Sequence, residues 1–217
     1  MAQSFSFHKL SSFLPSFLKA NQGNTEDFYS FGSVEKYNQL NGYHTIYDSY
    51  NSRTEITTTN PINYSDRITF GSTYRSVRKA LPKCTFRVSN KSKGLDRKIA
   101  VFKRRIAGQN VKIEMHFFQD KLFFFNYTFS YANAVDRERL TQMLIEKYQV
   151  NTTDLLNNTI FDSNKNCILV TEGTEFCINY IQTENSFFEQ LNTVRFSKYR
   201  DLSDQNDVTL DHLFASL

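Results

Sequence analysis

Hydrophobic and polar positions alternate most clearly between residues 84 and 131. Cys84, Phe86 and Val88 alternate with Thr85, Arg87 and Ser89, and Val111, Ile113, Met115 and Phe117 alternate with Lys112, Glu114, His116 and Phe118. A period of two is the signature of half-buried strands. A further strand is predicted over Lys98 to Ile106, where the alternation slips at Val101 and Phe102 in the manner of a β-bulge. Gln119 and Asp120 form a tight hairpin into Leu122 to Tyr131, with Phe123, Phe125, Tyr127 and Phe129 expected on one face. These four strands read as an antiparallel meander.

Helical spacing brackets the meander. Ser72 is expected to cap a short helix with Tyr74, Val77 and Leu81 inward and Arg75, Arg78 and Lys79 outward, ended by Pro82. A second helix is predicted over Ala134 to Tyr148, capped by Asn133 or Asp136, with Leu140, Met143, Leu144 and Tyr148 inward. Ile168 and Val170 then meet Phe176, Ile178 and Tyr180 across a turn at Glu172, Gly173 and Thr174. The run Ser186 to Glu189 has the capping-box form and opens a third short helix with Phe188 and Leu191. Helices separated by hairpin-linked strands favour an α+β fold: an antiparallel β-meander sheet packed by two or three short helices.

The chain divides into four sections. Residues 1–22 read as an amphipathic arm, with Leu10, Phe13, Leu14, Phe17 and Leu18 on one helical face. Residues 23–65, rich in Tyr, Asn and Thr, show no sustained period and are expected to be irregular or to form short edge strands, pinned by aromatic anchors. Residues 66–193 form the core domain. Residues 194–217 begin basic, turn acidic at Asp201, Asp204, Asp207 and Asp211, and end with Leu210, Leu213, Phe214 and Leu217 at helical spacing.

Composition narrows the function classes. A chain of 217 residues with 21 Phe, 12 Tyr and no Trp can bury a substantial aromatic core without metals or disulfides. Cys84, Cys167 and Cys177 have no C-x-x-C spacing and read as reduced, structural thiols. The seven glycines are dispersed, which excludes a standard phosphate-cradling loop. His8, His44, His116 and His212 are equally scattered, so no metal or cofactor is predicted, and His116 reads as an ordinary surface or strand-pairing residue. No catalytic constellation is present, and the chain is read as non-enzymatic, without a small-molecule substrate. With no bilayer-length apolar run and no continuous apolar core in the first 22 residues, an uncleaved cytoplasmic protein without a membrane span is expected.

Charge supplies the functional signal. Between residues 75 and 112 there are 13 Lys and Arg against Asp96 alone, although the whole chain is only +4. The residues singled out as an interface or anion-binding face are Arg75, Arg78, Lys79, Arg87, Lys91, Lys93, Arg97, Lys98, Arg104 and Lys112, with Arg87 and Lys112 expected on the solvent face of the sheet. Two readings follow besides an internal one, in which the acidic tail from Asp201 to Asp211 folds back onto the patch. In the first, the protein is a structural or interaction subunit of a larger homo- or hetero-oligomeric assembly, docking through its apolar arms and its basic face. In the second it binds nucleic acid, with Phe118, Phe124 and Leu122 as stacking platforms beside the cations.

Overall fold

The computed structural model describes residues 40–92, 95–106 and 109–195. The predicted docking arm of Leu10, Phe13, Leu14, Phe17 and Leu18 lies outside them, as does nearly all of the C-terminal section. Among the described residues, four helices flank a single eight-stranded sheet, an α+β architecture. The helices are α1 (Asn41–Ser52), α2 (Tyr74–Ala80), α3 (Ala134–Tyr148) and α4 (186–195). The strands are β1 (Thr54–Thr57), β2 (Phe86–Ser92), β3 (Leu95–Ile106), β4 (Gln109–Phe118), β5 (Lys121–Phe129), β6 (Asn158–Phe161), β7 (Asn166–Glu172) and β8 (Phe176–Gln182).

The sheet runs in the order β1-β6-β7-β8-β5-β4-β3-β2. The meander of β2 to β5 forms half of it. The rest departs from an all-antiparallel reading, because β1 pairs in parallel with β6 while every other pairing is antiparallel. Thr54 lies opposite Asn158, a contact across some hundred residues of chain that leaves no local trace in the sequence.

Helices cover both faces. On one, α2 and α3 bury Tyr74, Val77, Leu144 and Tyr148 against Ala100, Met115, Phe117, Phe125 and Tyr180. On the other, α1 and α4 bury Tyr43, Ile46, Tyr50, Phe187, Phe188 and Leu191 against Ile99, Val101, Phe118, Phe124 and Leu169. This double coverage explains the slip at Val101 and Phe102. The register through β3 is continuous, and the two residues simply enter opposite cores. The bulge falls instead at His116 and Phe117, which pair with Phe124 and Leu122 and leave Phe123 as the extra residue. Phe123 is thereby turned away from Phe125 and Tyr127 into the α1 and α4 core.

Residues 23–65 were expected to be irregular or to hold short edge strands; β1 is such an edge strand, whereas α1 is a helix that was not expected. Tyr43, Ile46, Tyr47 and Tyr50 have helical spacing, but the stripe is mostly tyrosine and its neighbours are polar, so hydropathy alone misses it. Tyr47 and Tyr50 pack on Phe188 with ring centroids 6.0 Å away. The opposite core holds a second aromatic group, in which Phe125 stacks on Tyr180 at 4.5 Å and Tyr64 lies parallel to Tyr127 at 6.1 Å.

Local signals operate at the element ends. Gln119 and Asp120 have φ of 48° and 63°, the left-handed pair of a type I′ hairpin. Asn133 caps α3 in a reciprocal capping box with Asp136. Two caps fall one residue away from their predicted positions: Thr73, not Ser72, caps α2, and Asn185, not Ser186, accepts from the Phe187 amide at 3.0 Å.

Candidate anion-binding groove

Helix α2 stands on the sheet beside the Gln119–Asp120 hairpin. Its first turn is fixed by Thr73, whose side-chain oxygen accepts from the Ser76 amide at 3.1 Å, and by the Tyr74 amide, which donates to the Asp120 carbonyl at 3.3 Å. The Tyr74 ring meets Phe117 edge-on at 5.3 Å. Leu81 adopts the extended conformation required before Pro82, and the helix ends there.

With Tyr74 and Val77 turned inward, the i, i+3, i+4 spacing sends Arg75, Arg78 and Lys79 outward along one ridge. They line a shallow open groove of about 300 Å³ whose floor is Tyr74. The Arg78 guanidinium lies 5.9 Å from the centre of that ring and the Lys98 ammonium, reaching from β3, 5.7 Å. Lys98 also pairs with Asp120 at 2.9 Å. Among the described residues Arg75, Arg78, Lys79, Lys83 and Arg87 make no ion pair. A groove with three uncompensated cations and a polarisable floor is suited to a carboxylate or a phosphate.

The remaining predicted cations are dispersed. Arg87 pairs with Ala100, which pairs with Met115, so Arg87 lies on the α2 side of the sheet. Arg104, opposite Val111, is on the same side, its guanidinium 5.7 Å from the Phe102 ring. Lys112 lies opposite Lys103 and, two positions before Glu114, belongs to the other side. The expected placement of Arg87 and Lys112 on one solvent face is therefore corrected by the register. Arg97 is only 3 % exposed, its guanidinium 5.6 Å from the Tyr43 ring. Lys91 is opposite Asp96, and Lys93 lies outside the described residues. Of the ten predicted residues, the fold gathers Arg75, Arg78, Lys79 and Lys98 around Tyr74. The proposed stacking platforms fail too, because Phe118, Phe124 and Leu122 are all buried, the first two beneath α1 and α4 and the third in the opposite core.

A second polar constellation was not legible in the sequence. Alternation along β4 points Lys112, Glu114 and His116 toward the α1 side, where Glu114 and His116 are fully buried. Asn126 donates to Glu114 Oε2 at 3.1 Å, Lys112 Nζ lies 3.4 Å from Glu114 Oε1, and His116 Nε2 lies 3.7 Å from Glu114 Oε2. The Tyr43 hydroxyl is hydrogen-bonded to His116 Nδ1 at 2.7 Å. Burial pushes the Tyr43 phenol well above its usual range, against the opposing pull of the Arg97 charge, and burial lowers the Arg97 guanidinium. The reading of His116 as a surface residue is thus overturned. The only hint in the sequence was Glu and His alternating on an otherwise apolar strand, and it became interpretable only once α1 was known to cover that face.

Among the described residues no group of three or more His, Cys, Asp or Glu is placed to hold a metal ion, and no helix is long and apolar enough to cross a membrane. The chain matches no known family model, no curated protein and no solved structure. Its functional reading rests on its own residues.

Proposed function

We propose that this protein is a non-enzymatic interaction subunit that docks an acidic protein surface in the α2 groove. The observation that carries the proposal is the convergence of Arg75, Arg78 and Lys79 over Tyr74 with no ion pair among the described residues to neutralise them. Acidic side chains arriving there gain several Coulomb contacts at once, and the fixed spacing along a helix selects their register. The apolar positions Leu10, Phe13, Leu14, Phe17 and Leu18 of the sequence supply a second docking element in this reading. Three free cysteines, one of them buried, suit the cytoplasmic location we assign to it.

Nucleic acid is the alternative ligand for the same cations. Tyr74 is 9 % exposed, and the exposed large apolar side chains among the described residues, Tyr131, Val135 and Leu156, belong to α3 and the chain around it, so the described residues place no base-stacking surface at the groove. That favours an acidic protein over a single strand. The test is affinity capture from the source cells with the wild-type chain and with Arg75→Glu/Arg78→Glu/Lys79→Glu, before and after nuclease treatment. A nuclease-resistant protein partner lost in the variant supports the proposal. A partner released by nuclease transfers the groove to nucleic acid, and identical capture by both chains removes the groove from the function.

A further inference from the structure

The chain carries an acidic segment of its own. Asp201, Asp204, Asp207 and Asp211 follow α4 with no Lys or Arg between them. At about 100° per residue, helical spacing would set Asp204, Asp207 and Asp211 within about 60° of one another, with Leu210, Leu213 and Leu217 on a neighbouring face. The i, i+3, i+7 spacing of these aspartates in the sequence is complementary in sign and in period to the i, i+3, i+4 ridge of Arg75, Arg78 and Lys79.

Reach permits the contact. Both helices involved start at the β4–β5 hairpin: the Tyr74 amide bonds the Asp120 carbonyl, and Phe187, in the first turn of α4, packs on Phe118 at 5.4 Å. The ten residues of α4 carry the chain about 15 Å from that point, and crossing the edge of the sheet to the other face adds about 10 Å. From residue 195 an extended chain spans about 30 Å to Asp204, at about 3.3 Å per residue, and helical spacing from there to Asp211 would add about 10 Å. The tether also gives the segment an effective concentration of about millimolar, far above that of a second copy in dilute solution.

We infer that the acidic segment 201–211 occupies the α2 groove of its own chain when no partner is bound, and that an acidic partner must displace it. The inference rests on the reading of the groove as a docking site. The segment is then a built-in competitor: it shields Arg75, Arg78 and Lys79 from weak or non-specific polyanions and sets a threshold for the true partner. A segment dissociation constant of about 100 µM against a millimolar effective concentration corresponds to about a ten-fold reduction in apparent affinity.

The test uses the full chain with zero-length carbodiimide coupling, followed by peptide mapping of a mixture of isotope-labelled and unlabelled protein, and poly-L-glutamate as the binding probe. The expected result is a Lys79 linkage to Asp204, Asp207 or Asp211 within one chain, absent at high salt and in Arg75→Glu/Arg78→Glu, together with about ten-fold tighter poly-L-glutamate binding when the four aspartates are changed to Asn. Linkages joining labelled to unlabelled chains overturn occupancy in cis. Equal, salt-sensitive binding by both chains with no Lys79 linkage overturns the inference and leaves the docking reading standing. Absence of poly-L-glutamate binding by either chain at low salt overturns both.

Discussion

The Tyr43 hydroxyl sits 2.7 Å from His116 Nδ1, joining α1 to the interior strand β4 across 73 residues of sequence. Around it the Tyr43 ring meets Phe187 at 4.7 Å and His116 meets Phe124 at 4.6 Å, so the bond is made inside an aromatic shell. A polar contact in such a place costs more to break than it contributes when formed, because the surviving group loses a partner away from water. Tyr43→Phe is expected to lower unfolding free energy by about 1–3 kcal/mol in urea titration. Tyr131→Phe, at an 80 % exposed site, should stay within about 0.5 kcal/mol of wild type. Equal effects from the two substitutions would remove the Tyr43–His116 contact from the stability of the fold.

Charge reversal in the groove should separate binding from folding. Arg75, Arg78 and Lys79 are exposed and make no ion pair among the described residues, so Arg75→Glu/Arg78→Glu/Lys79→Glu should cost only about 1–2 kcal/mol of stability, from the loss of two cations in the last turn of α2, and leave the protein folded. With exposed ion pairs contributing about 0.2–1 kcal/mol each, poly-L-glutamate binding at low salt should weaken by about ten-fold or more. The wild-type interaction should itself fade as ionic strength rises. Binding that survives both reversal and salt would place the ligand elsewhere.

The C-terminus of α3 holds a gain in stability. Gln149 is exposed and left-handed, with φ of 51°, at the position where glycine is usually found. Gln149→Gly is therefore expected to stabilise the protein by a few tenths to about 1 kcal/mol, in contrast to the loss usual for glycine substitution. Chemical denaturation decides the sign.

At the other end of the same helix, Asn133 accepts from the Asp136 amide at 2.9 Å and Asp136 returns a bond to the Asn133 amide. Asn133→Ala removes one half of this box and should cost about 1 kcal/mol. Asn133→Ser should restore most of it. If the alanine and serine variants unfold at the same denaturant concentration, the cap does not stabilise α3.

High pH should unfold the protein through its tyrosines. Burial raises the phenols of Tyr43, Tyr50, Tyr64, Tyr127, Tyr148 and Tyr180 above the ordinary value of 10.0. Since these folded-state values exceed the unfolded ones, their contribution is fully present below about pH 10 and is lost as pH climbs toward the folded values. In a chain without Trp, phenolate absorbance follows the transition directly. Those six are expected to ionise together with loss of near-ultraviolet circular dichroism. Their gradual ionisation in a protein that keeps its tertiary signal would contradict the burial.

Elements whose cause lies within a few residues were legible in the chain. Asn133 and Asp136 mark a helix start by their own hydrogen bonds, Gln119 and Asp120 close a hairpin, and the alternation of Val111 to Phe117 describes a strand wherever that strand is placed. Of the site, the ridge of Arg75, Arg78 and Lys79 was equally visible, because Tyr74, Val77 and Pro82 fix which side of a single short helix faces out. What escaped the reading depends on contacts made far along the chain. Alternation shows that neighbouring residues point to opposite faces, yet with helices on both faces it does not say which face meets water. The sequence therefore could not place Phe118 and Phe124 beneath α1, or separate Arg87 from Lys112.

The basic segment of residues 75 to 112 was determined by the sequence itself, as a count and as a local pattern of charges on folded elements. Its division was decided only in three dimensions. Cross-strand register sent Arg97 and Lys112 to the α1 side of the sheet and kept Arg87 and Arg104 on the α2 side, while the seating of α2 at the hairpin brought Lys98 to Tyr74 and made a groove. Charge is a property of each residue alone, whereas a binding surface requires neighbours, and strand pairing supplies those.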